Sequence, residues 1–215
     1  MKQERQLKIT ADGSPTFFLP ELNEHFHSIN GAIQESIHVF INHGLKMLSG
    51  SKELRIFEMG WGTGLNAFLT YRYGRDNHTK IIYDAVEAFP LLEDEYKLLD
   101  FGFEGDGERS VFSEMHKMSW IEEKAFGDYF LFRKYMSALE DLELKKDYYD
   151  LIYYDAFAPD IQPELWDKAI FEKMSGILKR GGILVTYSVK GQVRRNMKES
   201  GFLIEKLPGP KGKRE

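Results

Sequence analysis

The chain contains no cysteine, which excludes disulfides, thiolate zinc sites, iron–sulfur clusters and any cysteine nucleophile. Whatever chemistry it performs runs on oxygen and nitrogen groups. No apolar run approaches the roughly 20 residues that a bilayer-spanning helix needs, and the first ten residues are polar and charged, unlike a secretory signal. A soluble, cytoplasmic protein with no membrane attachment is therefore expected. Internal repeats and low-complexity tracts are also missing, and a net charge of −5 argues against a protein that coats nucleic acid indiscriminately.

What is present is material for a packed core: 215 residues, of which 42% are hydrophobic and 14% aromatic, enough for one ordinary domain with an extension. Residues 1–50 read as a lead-in and a helix packed on the core, and residues 51–215 as the main body, together one structural unit. The charge is polarised. Residues 179–215 hold ten Lys or Arg against three Glu, leaving 19 basic and 31 acidic residues for the rest. A basic end on an acidic body can hold phosphates in one place while the remainder repels them.

Strand and helix signals alternate along the main body. The lead-in at 12–30, rich in Gly, Pro and Asn, allows a short hairpin at most. From Ala32 an apolar stripe through Ile33, Ile37, Phe40, Ile41, Leu45 and Leu48 predicts one helix ending near Gly50. Strands are expected at 55–59, 80–86, 129–133, 150–154, 183–187 and 202–207. Helices are expected at 65–73, around Leu91 to Leu98, at 115–124, briefly at 138–144, at 163–179 and at 193–200. Such alternation points to an α/β fold with a mostly parallel sheet covered by helices on both faces.

In open parallel sheets, ligands sit beyond the carboxyl ends of the strands, first of all at the first strand-to-helix turn. Here that turn reads Glu58-Met59-Gly60-Trp61-Gly62-Thr63-Gly64. Glycines at alternate positions permit tight backbone and a close approach to a ligand. The spacing differs from the dinucleotide fingerprint, because Gly62 and Gly64 are two apart rather than three, and Glu58 would repel a pyrophosphate but attract an ammonium. Glu87 closes the second strand, where an acid can accept both hydroxyls of a ribose. Glycine loop, preceding acid and second acid resemble the S-adenosyl-L-methionine site of Rossmann-like methyltransferases, whose ligand carries a ribose diol and a cationic tail but no phosphate.

After the fourth strand comes Asp155-Ala156-Phe157-Ala158-Pro159, which faces the same crevice from its other side. It resembles the turn by which amino-methylating enzymes hold an exocyclic nitrogen and stack the acceptor ring. A carboxylate there can hydrogen-bond an amine, aim its lone pair and help its proton depart. Together with Pro163-Glu164-Leu165-Trp166, Phe171, Gly181-Gly182, Thr186-Tyr187-Ser188, Gly191, Val193-Arg194-Arg195, Gly201-Phe202 and Gly212-Lys213-Arg214-Glu215, this motif is similar to one family. That family is the methyltransferase domain of the bifunctional tRNA 5-methylaminomethyl-2-thiouridine biosynthesis protein. Phe26-His27-Ser28, Gly31-Ala32, Glu35-Ser36 and Val39-Phe40 extend the resemblance back to about residue 12.

The resemblance implies methyl transfer from S-adenosyl-L-methionine to the primary amine of an aminomethyl group on the tRNA wobble uridine, with Asp155 holding the amine. The donor side is assigned to Glu35, Glu58, Gly60, Trp61, Gly62, Thr63, Gly64, Glu87, Ala88 and Ala138. The acceptor side falls to Phe157 and Pro159, with Lys190, Arg194 and Arg195 toward RNA phosphates, joined by Lys198, Lys211, Lys213 and Arg214. No flavin is expected, since the chain has no room for the second domain of the bifunctional relatives, and a separate flavin-dependent oxidoreductase or other upstream wobble-uridine enzymes become candidate partners. A metal is not expected either: His25, His27, His38 and His43 include no i, i+4 pair, and His38 and His43 are five apart. Two readings compete. One is an aminopropyltransferase or small-molecule amine methyltransferase, whose acceptor needs several acids lining a tunnel where this motif offers only Asp155 and Asp160; the other is a non-catalytic cofactor-binding module.

Overall fold

The structure, a computed structural model, describes residues 4–209; Lys211, Lys213 and Arg214 lie outside the described residues. The lead-in is more ordered than a hairpin. It forms a three-stranded antiparallel sheet of β1 (Gln6–Ile9), β2 (Pro15–Leu19) and β3 (Glu24–His25). The turn between β1 and β2 also caps the helix that follows, α1 (Ala32–Ser36). A helix start leaves its first N–H groups unpaired, and here Ser14 Oγ accepts from Ala32 N and Ile33 N at 3.1 and 3.3 Å while Asp12 Oδ2 accepts from Gln34 N at 2.9 Å. Side chains 18 to 22 residues away thus supply the cap, tying the small sheet to the body.

The single helix expected to run to Gly50 is instead three pieces: α1, a π-helical stretch (Ile37–Asn42) and a 3₁₀ turn (Leu45–Leu48). The wider turn brings residues five apart into register, so His43 Nδ1 lies 2.8 Å from the His38 carbonyl and the two rings meet at 4.5 Å. Gly44 then permits the bend, since a side chain there would strike the Phe40 carbonyl.

The main sheet is built from β4 (Glu53–Met59), β5 (Lys80–Glu87), β6 (Glu123–Phe126), β7 (Phe130–Met136), β8 (Tyr149–Tyr154) and β9 (Leu178–Val185), in the order β6-β7-β5-β4-β8-β9. All pairs are parallel except β6 with β7. Intervening helices are α2 (Leu65–Asp76), α3 (Glu93–Tyr96), α4 (Gly105–Lys117), α5 (Lys168–Ile177) and α6 (Gly191–Glu199). Successive strand residues face opposite sides. Ile56 and Tyr153 join one buried cluster with Phe40, Phe68 and Phe132, whereas Phe57 and Tyr154 join the other with Trp166 and Phe171. This is a Rossmann-like α/β fold, a mostly parallel sheet between helical layers.

Three local expectations fail for identifiable reasons. The helix expected at 115–124 begins earlier, as α4 from Gly105, where Asp106 and Glu108 favour the positive end of the helix dipole. Glu108 is further locked there by Arg72 and Arg75. The chain accordingly leaves the helix after Lys117, and Glu123–Phe126 form the antiparallel edge strand β6. No helix forms at 138–144, where Lys173 Nζ donates to the Leu139 and Glu140 carbonyls. Residues 202–207 are extended but join no ladder, with Phe202 and Ile204 resting on the second core cluster. Among the described residues, no helix is long and apolar enough to cross a membrane.

Candidate active site

The chain runs outward from β4 through β5 to β7 and then returns to the other side of β4 at β8. The strand order therefore reverses between β4 and β8, and the crevice beyond their carboxyl ends is where a ligand is expected. A cavity of about 350 Å³ opens there. Its walls come from the glycine loop after β4, the end of β5, the turn after β7, the 155–158 loop after β8, and the lead-in around Phe26 and Glu35.

The glycine loop is held by backbone bonds and by one acid. Gly60 N and Trp61 N both donate to the Val86 carbonyl at 3.1 Å. Gly60 has φ +85°, and a Cβ added to it would lie 2.4 Å from the Asp155 carbonyl oxygen, so only glycine lets the two loops meet. The Glu87 carboxylate accepts from Gly62 N through Oε2 and from Phe89 N through Oε1, each at 2.8 Å. Each oxygen keeps a second acceptor site. Thr63 Oγ1 lies 3.2 Å from His27 Nε2, whose Nδ1 is 3.1 Å from Thr16 Oγ1, and burial lowers this histidine to about 4, leaving it neutral.

Opposite stands Asp155, whose loop is pinned at three points. Asp155 N donates to the Met59 carbonyl, Tyr187 Oη to the Ala156 carbonyl and Trp166 Nε1 to the Phe157 carbonyl, at 2.9, 2.8 and 2.8 Å. Asp155 Oδ2 accepts from Asn66 Nδ2 at 2.9 Å. Burial, reinforced by the Glu35 charge and opposed by the Asn66 bond, pushes the Asp155 carboxyl up to about 8. Phe157 meets Phe26 edge-on with ring centroids 5.3 Å apart, closing the acceptor side with aromatic surface.

The cavity gathers Glu35, Gly60, Trp61, Gly62, Thr63, Glu87, Ala88, Ala138, Asp155 and Phe157 from the sequence-predicted set. It does not gather Glu58, Gly64, Pro159, Lys190, Arg194 or Arg195. Glu58 is fully buried behind Asn66, and burial raises its carboxyl well above the usual range, with Tyr83 and Asn66 opposing and the nearby Asp155 and Glu87 adding to the rise. Gly64 starts α2 against His116. The Trp61 ring turns into the core, 4.4 Å from the His116 ring and under the Lys134 ammonium, so only its backbone faces a ligand. Lys190 pairs with Asp160, Arg195 bonds Gln192, and Arg194 borders a separate cleft of about 680 Å³ along β9 that shares only Glu35 and Tyr187 with the first cavity.

Asn66 is the main residue that sequence reasoning passed over. A polar side chain between Leu65 and Ala67 on the buried face of α2 was its only signal. The acidity of the cavity also exceeds what the Asp155 motif shows. Glu24, Glu35, Glu87, Glu140, Asp155 and Glu164 line it, and no Lys or Arg does among the described residues. Such a lining suits a ligand with a diol and an ammonium and disfavours a phosphate, which is the chemistry of S-adenosyl-L-methionine. Among the described residues no group of three or more His, Asp or Glu is placed to hold a metal ion.

Comparison with known proteins adds relatives to this geometry. A family model described as S-adenosyl-L-methionine-dependent methyltransferase matches residues 115–215. The tRNA 5-methylaminomethyl-2-thiouridine biosynthesis bifunctional protein MnmC of Paracidovorax citrulli is 30% identical over 215 residues, covering 94% of this chain and 33% of the relative. Its counterpart in Leptospira interrogans is 29% identical over 220 residues, covering 91% and 32%. The chain thus spans about a third of the length of these curated relatives. Among solved structures, MNMC2 from Aquifex aeolicus superposes with a TM-score of 0.76 at 24% identity, covering 94% of this chain and 65% of that one, and shares the fold. In cavity, glycine loop and relatives the chain is MnmC-like, similar to the S-adenosyl-L-methionine-dependent methyltransferases.

Proposed function

We propose that this domain methylates the primary amine of a 5-aminomethyl or 5-aminomethyl-2-thiouridine at the tRNA wobble position. The observation that carries this reading is Asp155, a half-buried carboxyl that directly follows β8 and faces a cavity lined by acids and, among the described residues, by no Lys or Arg. Glu87, the glycine-loop amides, Ala88 and Ala138 would hold the methyl donor. When bound, S-adenosyl-L-methionine supplies a methyl group already activated by its sulfonium.

The protein's own task is to deliver an unprotonated nitrogen in line with that methyl group. An alkylamine arrives as an ammonium with a pKa near that of lysine, about 10. An ordinary aspartate would be about six units too acidic to accept its proton, whereas the Asp155 carboxyl, pushed up to about 8, is a far closer match. Asp155 would take one N–H proton and so free the nitrogen lone pair for the methyl group that a bound S-adenosyl-L-methionine would supply, with a neutral thioether as the leaving group. Glu35 adds attraction for the incoming cation, and Phe157 offers the acceptor ring an aromatic face.

The basic face of α6 with Lys190 is the proposed seat of tRNA phosphates, outside the cavity and free of its negative field. A separate flavin-dependent oxidoreductase, or another wobble-uridine-modifying enzyme, is the class of partner that would supply the primary amine. The six acids lining the cavity also suit a free polyamine, which keeps an aminopropyltransferase or small-molecule amine methyltransferase as the second reading. Labelled S-adenosyl-L-methionine offered with aminomethyl-tRNA, carboxymethylaminomethyl-tRNA and spermidine separates them. Label is expected on the first substrate alone; label on spermidine would transfer the assignment to the rival.

A further inference from the structure

Asn66 joins Asp155 at the cavity to Glu58 buried behind it. It is the second residue of α2, only 3% exposed, and its Nδ2 donates to Glu58 Oε1 at 3.0 Å and to Asp155 Oδ2 at 2.9 Å. Glu58 lies in β4 and Asp155 directly follows β8, the neighbouring parallel strands at the point where the sheet order reverses. One amide nitrogen carries two N–H groups, and here each serves a different carboxyl. The structure turns the amide nitrogen, not its oxygen, toward both acids.

We propose that Asn66 is a positioning residue for methyl transfer, one that fixes the aim of the Asp155 carboxylate and sustains its charged form. The proposal rests on the reading of Asp155 given above. With Oδ2 held by Asn66, the other oxygen of Asp155 is the one presented to an acceptor nitrogen. The groups facing Asp155 otherwise work against its ionisation. Glu35 from α1 contributes like charge, and the Tyr187 phenol bonds the Ala156 carbonyl rather than the carboxylate. Glu58 stands behind Asn66 with Tyr83 and Glu87 around it, and Glu24 lies toward Tyr187. Among the described residues, Asn66 is the side chain that hydrogen-bonds the Asp155 carboxylate. Removing such a bond to a charged group should raise the Asp155 midpoint by roughly one to two pH units.

The test pairs Asn66→Ala with Asn66→Ser, which keeps a single donor, after thermal melts confirm folding. The Asp155 titration is read directly by carbon NMR of ¹³C-labelled aspartate, assigned with Asp155→Asn, in the absence of any acceptor. The expected result is a midpoint raised by roughly one to two units in Asn66→Ala and by less in Asn66→Ser. Methyl transfer to aminomethyl-tRNA at pH 7 should then fall roughly ten- to a hundredfold and recover to within a few-fold above the shifted midpoint. Affinity for S-adenosyl-L-methionine by calorimetry should stay within about threefold. An unmoved Asp155 midpoint, a rate loss equal at every pH, or loss of cofactor affinity would overturn the proposal. A shifted midpoint in a protein that methylates no tRNA would uphold the role of Asn66 and reject the tRNA reading, so the two failures are separable.

Discussion

Replacing Asp155 by Asn should stabilise the protein, and by an amount that grows with pH. In the folded chain the carboxyl is raised from 3.8 to about 8, first by burial and then by Glu35, with Asn66 opposing. The raised value means that the folded state favours the neutral acid. That advantage is complete below about pH 4, where the unfolded chain is protonated too, and is lost progressively until the pH passes about 8. Above that point the folded protein holds a half-buried charge, for which the full shift at 1.36 kcal/mol per unit sets a ceiling of about 6 kcal/mol. Asparagine keeps the shape and an acceptor oxygen but never ionises. The stability gap between variant and wild type should therefore widen by up to about 4 kcal/mol between pH 5 and pH 9, and by about half of that where water entering the cavity solvates the carboxylate. Lys134, lowered to about 8 by burial, and His116, lowered to about 3 by burial and by the Lys134 charge, titrate in both proteins and cancel in the difference. Urea denaturation of both proteins at pH 5, 7 and 9 reads the gap. A gap that stays constant across this range, or narrows toward pH 9, would refute the assignment of a half-buried, raised carboxyl.

Other consequences follow from particular contacts. Glu87→Ala removes the acceptor for Gly62 N and Phe89 N, so it should weaken S-adenosyl-L-methionine binding by calorimetry more than Asp155→Ala does; the reverse order would exchange their roles. Gly60→Ala places a Cβ 2.4 Å from the Asp155 carbonyl oxygen and should abolish cofactor binding even where far-ultraviolet circular dichroism stays native. Asp12→Ala breaks a helix cap that also orders the β1–β2 turn, and should cost about 1 to 2 kcal/mol in urea denaturation without altering cofactor affinity. Alanine at Arg194, Arg195 and Lys198 together should weaken tRNA binding and flatten its dependence on salt, measured by filter binding, if α6 meets RNA phosphates.

The site was legible where the sequence concentrates its signal within a few residues. Three glycines at alternate positions between a strand and a helix mark a tight turn, and all three have positive φ, with Gly60 the one that touches the end of the neighbouring strand. Glu87 and Asp155 were placed by the same logic, each closing a parallel strand. What stayed hidden depends on contacts between distant segments. The acid lining contributed by Glu24, Glu140 and Glu164 arises only once the lead-in, the turn after β7 and the loop before α5 converge. Asn66 looked like an ordinary helix residue until both its acid partners were in place. The Trp61 ring packs in the core against His116, Phe132 and Trp120, partners that also come from distant segments. The π-helical turn and the antiparallel β6 escaped because apolar spacing alone does not distinguish a widened helix from a regular one, or a short edge strand from a helix end.

The most direct test of the central claim is a crystal structure with S-adenosyl-L-homocysteine and an anticodon stem-loop carrying 5-aminomethyluridine. The expected complex has the ribose hydroxyls on Glu87 and the aminomethyl nitrogen within hydrogen-bond distance of Asp155, with Asn66 still bridging to Glu58. A nucleoside seated instead in the cleft along β9, or an amine held by other groups with Asp155 turned away, would contradict it.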